Sequence, residues 1–262
     1  MKRGKYKRRL GQVSVFIIVA IVVVVGIIIF YLTSMKDTSS GLNRQFSSDV
    51  VVQAKFNQLM YSTQACIDMA TTDALNVIGI QGGYYNKPAK YLDINGSFIP
   101  YYFYEDISYA PSISKVEEEL GKAVDDSIIP CLEEVKTINL DFNLEYDKSK
   151  TSVNISQEGI LFKVNLPIKI SKEDRTMVVN LIDAPKTYDL PLYDILNLGK
   201  YMANLAKQDG KMVCLSCIAK EASDKSLYVD MVNLEDSSTL FVVSQNYTSS
   251  GEYSLEFINK YK

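Results

Sequence analysis

Cys66, Cys131, Cys214 and Cys217 are the side chains best equipped for chemistry in this 262-residue chain, and their spacing permits three kinds of it. An even number of cysteines in an oxidising compartment reads as disulfides, and four cysteines allow three pairings. Cys66 and Cys131 each fall toward the C-terminal half of a predicted helix, which favours Cys66–Cys131 with Cys214–Cys217. The alternative joins the Cys-x-x-Cys pair to one or both distant cysteines. A redox dithiol is the second kind, with its first cysteine at a helix N-terminus that lowers the thiol pKa. Met212-Val213-Cys214 ahead of a helical run has that form, but neither a βαβ setting nor a cis-proline candidate accompanies it. Zinc is the third. A four-thiolate site uses two paired knuckles, and here there is one knuckle and no histidine. Structural disulfides are therefore expected, with no metal and no cofactor.

The absence of histidine also removes most general-base and triad schemes. Carboxylates cluster at Glu117-Glu118-Glu119, Asp125-Asp126 and Glu133-Glu134, on the polar side or flanks of an amphipathic helix, so a solvated face is expected. No phosphate-binding glycine motif and no calcium-loop ligand series occurs. A pair of carboxylates brought together in space, as glycosidases need, leaves no signature in sequence. No catalytic residue is assigned, and the chain does not read as an enzyme.

The elements that must position these cysteines begin after an apolar segment. Six basic residues (Lys2, Arg3, Lys5, Lys7, Arg8, Arg9) precede VSVFIIVAIVVVVGIIIFYL, and no charged side chain lies between Arg9 and Lys36. About 20 apolar residues at a helical rise of about 1.5 Å span a bilayer's hydrocarbon core of about 30 Å. With roughly 16 of them Val, Ile, Leu or Phe, insertion is favoured by about 5 to 10 kcal/mol. A cleaved secretory signal has a shorter apolar core and a small-residue site, and YLTSMKDTSS offers none. Basic residues stay on the cytoplasmic side, so the remainder is expected outside, anchored in the cell membrane by a single pass. Without the six basic residues the balance is 22 basic against 31 acidic, a net of about −9. That acidic exterior excludes a nucleic-acid partner; the lipid bilayer is the expected one.

The expected organisation is a basic cytoplasmic stub or leader at 1–11, a transmembrane helix at 12–33, a tether at 34–41 and an extracytoplasmic domain at 42–262, with a seam that could divide it into lobes 42–184 and 185–262. Its class is α+β: a long amphipathic helix, then antiparallel sheet with packed helices. The long helix follows from Phe56, Leu59, Thr63, Cys66, Ala70, Ala74 and Val77, and ends at Gly79 and Gly82-Gly83. A second helix is expected from about 113 to 135, with Val116, Leu120, Val124, Ile128 and Leu132 inward, a capping box at Ser114–Glu117 and a kink or new turn at Pro130. Strands at 137–146, TSVNIS, GILFKVNLPIKI and TMVVNLI then imply an antiparallel meander, with Pro167 at an edge or bulge. Helical spacing returns at 190–208 and at CLSCIAKEA, followed by strands LYVDMVN, TLFVVSQN and EYSLEFIN.

Between the first two helices, residues 84–112 hold seven tyrosines and two phenylalanines among three prolines and read as irregular. Tyr101, Tyr102, Phe103 and Tyr104 form a candidate recognition patch for protein or sugar, since tyrosine offers a stiff amphipathic surface. The other reading is a strand packed over the core. Asn95, Asn154 and Asn246 each open an N-x-[ST] glycosylation triplet.

Arg8-Arg9-Leu10-Gly11-Gln12-Val13-Ser14 resembles the processing site of archaeal class III, type IV prepilin-like, signal sequences. That resemblance implies cleavage by a membrane peptidase of the prepilin type between Gly11 and Gln12, with Gln12 at +1 and Ser14 at +3. The usual glutamate at +5, which pairs with a neighbouring pilin subunit, is Phe16 here, so processing is implied more strongly than filament assembly. The wider layout, with QGGYY after a helix, PYYFYE and then CLSC, is similar to that of uncharacterised archaeal membrane-anchored surface proteins. The expected function is a structural or adhesive role at the cell surface, through contacts with itself or other envelope proteins. The alternative is a pilin-like filament subunit.

Overall fold

The computed structural model describes residues 50–94, 96–138, 142–172, 175–180, 185–209, 213–235, 237–245 and 253–261. The basic stub, the expected span at 12–33, the tether at 34–41, and Gly11, Gln12, Ser14, Asn95 and Asn246 lie outside the described residues. Among the described residues no helix is long and apolar enough to cross a membrane. Asn57–Lys262 cluster as one compact unit, and its class is α+β.

Helix α1 (Val50–Ile80) buries Leu59, Cys66, Ile67, Ala70, Ala74 and Ile78. It ends in a Schellman motif: Gly82 N–H donates to the Gly79 carbonyl (3.3 Å) and Gly83 N–H to that of Ile78 (2.8 Å). Gly82 and Gly83 have φ of 51° and 86°, a backbone that costs other residues more. Tyr91–Ile94 (β1), Ser97–Tyr104 (β2) and Ile107–Ser108 (β3) follow, so the aromatic stretch is strand and loop packed over the core, the other of the two expected readings, and not irregular throughout. Pro100 is tolerated because it stands at the end of both ladders of β2. Its partner Tyr91 closes the β1 pairing, and pairing to the far strand starts at Tyr101.

Helix α2 (Ile113–Ile138) runs through Pro130, with Val116, Leu120, Val124, Ile128 and Leu132 all at 0% exposure. Its cap is Ser112, whose Oγ accepts from Lys115 N–H at 3.1 Å, in place of the expected box at Ser114. The helix continues over residues expected to open a strand. Thr137 is still bound to the Glu133 carbonyl (2.6 Å), and β4 is only Asn143–Tyr146.

The expected meander is two sheets instead. Lys150–Ser156 (β5), Gly159–Asn165 (β6) and Lys186–Tyr188 (β9) form one, in the order β5-β6-β9. The other has the order β4-β7-β8, with β7 at Pro167–Lys172 and β8 at Arg175–Asn180. The run GILFKVNLPIKI leaves one sheet and enters the other at Leu166, which is fully buried, just before Pro167. Apolar alternation continues through that point, so periodicity alone reports one strand.

Edge strand β5 is covered by α2 rather than by another strand. Glu117 accepts from Ile155 N–H (2.8 Å), and Asp125 accepts from Thr151 N–H (3.3 Å), the Thr151 hydroxyl (2.7 Å) and the Ser149 hydroxyl (2.9 Å). Midway between them, a Cβ on Gly121 would stand 2.8 Å from the Thr151 carbonyl oxygen. Residues four apart share a helix face, so carboxylate, glycine and carboxylate follow the strand and satisfy amides that an open edge leaves unpaired. Gly121→Val forces helix and strand apart and should lower unfolding free energy by about 2–3 kcal/mol. Denaturant midpoints of the chain in detergent micelles check this, and an unchanged midpoint rejects the close approach.

The largest sheet has the order β1-β2-β12-β11-β10, with β3 also paired to β2. Leu227–Asn233 (β10), Ser238–Gln245 (β11) and Ser254–Lys260 (β12) form its antiparallel half, and β12 pairs with β2 in parallel. Helix α3 (Leu192–Asp209) packs on it where Tyr102 and Phe257 stack at 4.2 Å, with Phe241 5.5 Å beyond. Gly199 makes this contact possible, as a Cβ there would lie 2.9 Å from the Tyr102 ring. Helix α4 (Leu215–Asp224) leads into β10.

Candidate functional site

The two disulfides formed are Cys66–Cys131 and Cys214–Cys217, with Cα separations of 5.6 and 5.3 Å. They do different work. Cys66 is 1% exposed, and its bond ties α1 to α2 across 65 positions of sequence. Cys214–Cys217 closes a ring only three positions apart. By loop-closure entropy the long bridge contributes about 4 kcal/mol and the short one about 2 kcal/mol. Cys214 is the N-cap of α4, with no side-chain cap hydrogen bond, and both of its sulfur-bearing residues are half-exposed. The Ser216 hydroxyl lies 3.7 Å from Cys214 Sγ and donates to it.

Beside this ring a groove of about 600 Å³ runs between α4 and β10, lined chiefly by Leu215, Ile218, Ala222, Leu227, Tyr228 and Met231. Leu215, inside the ring itself, is 56% exposed. Tyr228, Met231 and Val232 are exposed as well, on the terminal strand of the sheet among the described residues. Sequence reading missed this groove. Its signal was faint: LYVDMVN alternates, but both faces of β10 carry apolar residues that find no core.

The aromatic patch is divided by the fold. Tyr102 and Phe103 are 0% and 1% exposed, so they are core residues and cannot serve as recognition groups. Consecutive strand residues face opposite sides, and β2 is covered on both. Burial drives the Tyr102 hydroxyl's pKa well up, and it donates to the Gly82 carbonyl at 3.0 Å. Tyr101 and Tyr104 remain half-buried, edge to face at 5.0 Å, with Lys90 4.7 Å over the Tyr104 ring. Asn154 is exposed on β5.

The acidic face of α2 is not all solvated, contrary to expectation. Glu119 is 1% exposed. Its Oε2 accepts from the backbone amides of Tyr85 (3.0 Å) and Asn86 (2.8 Å) and from the Asn86 side-chain amide (3.3 Å). Lys115 Nζ is 2.8 Å from Oε1 and Lys122 Nζ 3.6 Å. Burial pushes its pKa up, but the Lys115 hydrogen bond and the two amides outweigh that and hold the carboxyl below its usual range. Glu119 thus anchors the turn that follows α1. The contacts of Glu119 all go to neighbouring residues of the fold. Among the described residues, no group of three or more His, Cys, Asp or Glu could hold a metal ion.

Comparison with known proteins returns no match to a family model, a curated protein or a solved structure.

Proposed function

We propose that this chain is a single-pass, membrane-anchored cell-surface protein whose α+β unit has a structural or adhesive role outside the cell. The apolar run Val13–Leu32 behind six basic residues carries this reading. Two supports come from the folded unit. All four cysteines are paired, as suits an oxidising exterior. Leu215, Tyr228 and Met231 line one groove and are each exposed, as on surfaces that meet other proteins. In a phase separation with nonionic detergent, full-length protein should enter the detergent phase, and protease added to intact cells should digest the unit from Asn57 onward. Recovery in the aqueous phase, or protection until lysis, rejects the anchor and its orientation.

A pilin-like subunit is the second reading, favoured by Gly11-Gln12 with Ser14 at +3. Cleavage by a prepilin-type peptidase leaves Gln12 as the first residue, which intact-mass measurement of native protein distinguishes from Met1. Filaments sheared from cells contain the chain under this reading and lack it under the first.

A further inference from the structure

We propose that Cys214–Cys217 is an exchangeable disulfide that oxidises a polypeptide dithiol presented beside the α4–β10 groove, an activity beyond a contact role. The short ring ties together residues that the first turn of α4 already holds: Ile218 N–H donates to the Cys214 carbonyl at 3.1 Å. As a staple it contributes about 2 kcal/mol, no more than half of what the long bridge does, whereas a half-exposed disulfide is open to thiol attack. Cys214 occupies a cap position that no side chain fills with a hydrogen bond. A thiolate released there accepts from first-turn amides and from the Ser216 hydroxyl, now 3.7 Å from the sulfur. Leu215 sits within the ring and also lines the groove, 56% exposed. A cysteine flanked by apolar side chains can therefore rest on the groove while its sulfur meets Cys214. Cys66–Cys131, with Cys66 buried at 1% exposure, offers no such approach.

The exchange balances without another reagent. A substrate thiolate attacks Cys214 Sγ, the Cys214–Cys217 bond breaks, and Cys217 leaves as a thiolate that takes a proton. The substrate's second thiolate then attacks the substrate sulfur of the mixed disulfide. The substrate disulfide forms and Cys214 departs as a thiolate. Two electrons have passed from the substrate dithiol to the protein.

The test uses the full chain in detergent micelles and a synthetic peptide with two cysteines, each beside a leucine. Reduced peptide should open Cys214–Cys217 at least tenfold faster than glutathione does at equal thiol concentration, leaving Cys66–Cys131 intact by peptide mapping. In Cys217→Ser the oxidised peptide should be captured as a mixed disulfide on Cys214. Alkylation of that cysteine should show a midpoint about one pH unit or more below the usual value near 8.5, and Ser216→Ala should raise it. A midpoint at or above that value, or a pair that stays oxidised under excess peptide, overturns the proposal. Equal rates for peptide and glutathione overturn the part played by the groove. Resistance of Cys66–Cys131 to reduction by the same thiols, which requires Cys66 to stay buried, reports that the unit is still folded in each variant.

Discussion

Replacing Cys66 and Cys131 together by alanine should lower the unfolding free energy by about 4 kcal/mol. The bond closes a loop that spans the second half of α1, the first three strands and most of α2, a separation of 65 positions. Untying it restores a large ensemble to the unfolded chain, and the entropy of that ensemble grows with loop length. Cys66 is also packed at 1% exposure beside Ile67 and Ala70, so its truncation leaves a small void. Equilibrium unfolding in denaturant, compared between the double variant and the oxidised parent, measures the difference. The same comparison for Cys214→Ala with Cys217→Ala should show about half that loss or less. Equal losses would mean that the two bridges do not divide into a clamp and a local ring.

Glu119→Ala comes next, with an expected loss of about 3–5 kcal/mol. The carboxylate is nearly inaccessible, so its removal strands the amide groups of Tyr85 and Asn86 and leaves the Lys115 ammonium only the longer contact to Glu118, at 3.5 Å. Glu119→Gln keeps an acceptor of similar shape and should lose about half as much. The group also sets a pH dependence. Its folded pKa lies below the ordinary value of 4.5, so the unfolded chain binds this proton more readily. Its stabilisation is therefore complete above about pH 4.5 and is lost as pH falls through the lowered folded value. Glu119→Gln should flatten the unfolding free energy between pH 5 and 3 relative to the parent. An unchanged slope would place the acid sensitivity elsewhere.

What could be read from the residues, and what could not, follows from how each interaction is written in sequence. The inner stripe of α2 is periodic, and Val116, Leu120, Val124, Ile128 and Leu132 are all fully buried. The bridge from α1 to α2 was favoured because two helices each carried one cysteine in comparable places. Glu119 was misread because three consecutive glutamates look alike, although Glu118 is exposed, Glu117 meets strand β5 and Glu119 is interior. The difference lies in which neighbour the helix meets at each angle, and no local pattern records that. The passage from β6 to β7 was hidden for a related reason. Alternation states which face of a strand is apolar and is silent on which sheet the strand joins. The groove at α4 and β10 was invisible because an apolar side chain without a core to enter looks the same in sequence as one that has found it.

The parallel pairing of β12 with β2 has a consequence for how the unit is made. Its contacts join Tyr101 to Ile258 and Phe103 to Asn259, residues that stand far apart in sequence. A ribosome delivers residues in order, so a chain made only through β11 has its aromatic strand β2 waiting with one side unfilled. Pairs that far apart close slowly, and an unfilled strand is an invitation to the wrong neighbour. Folding of this unit therefore waits on its last strand, and β2 stays open to mispairing until β12 has been made.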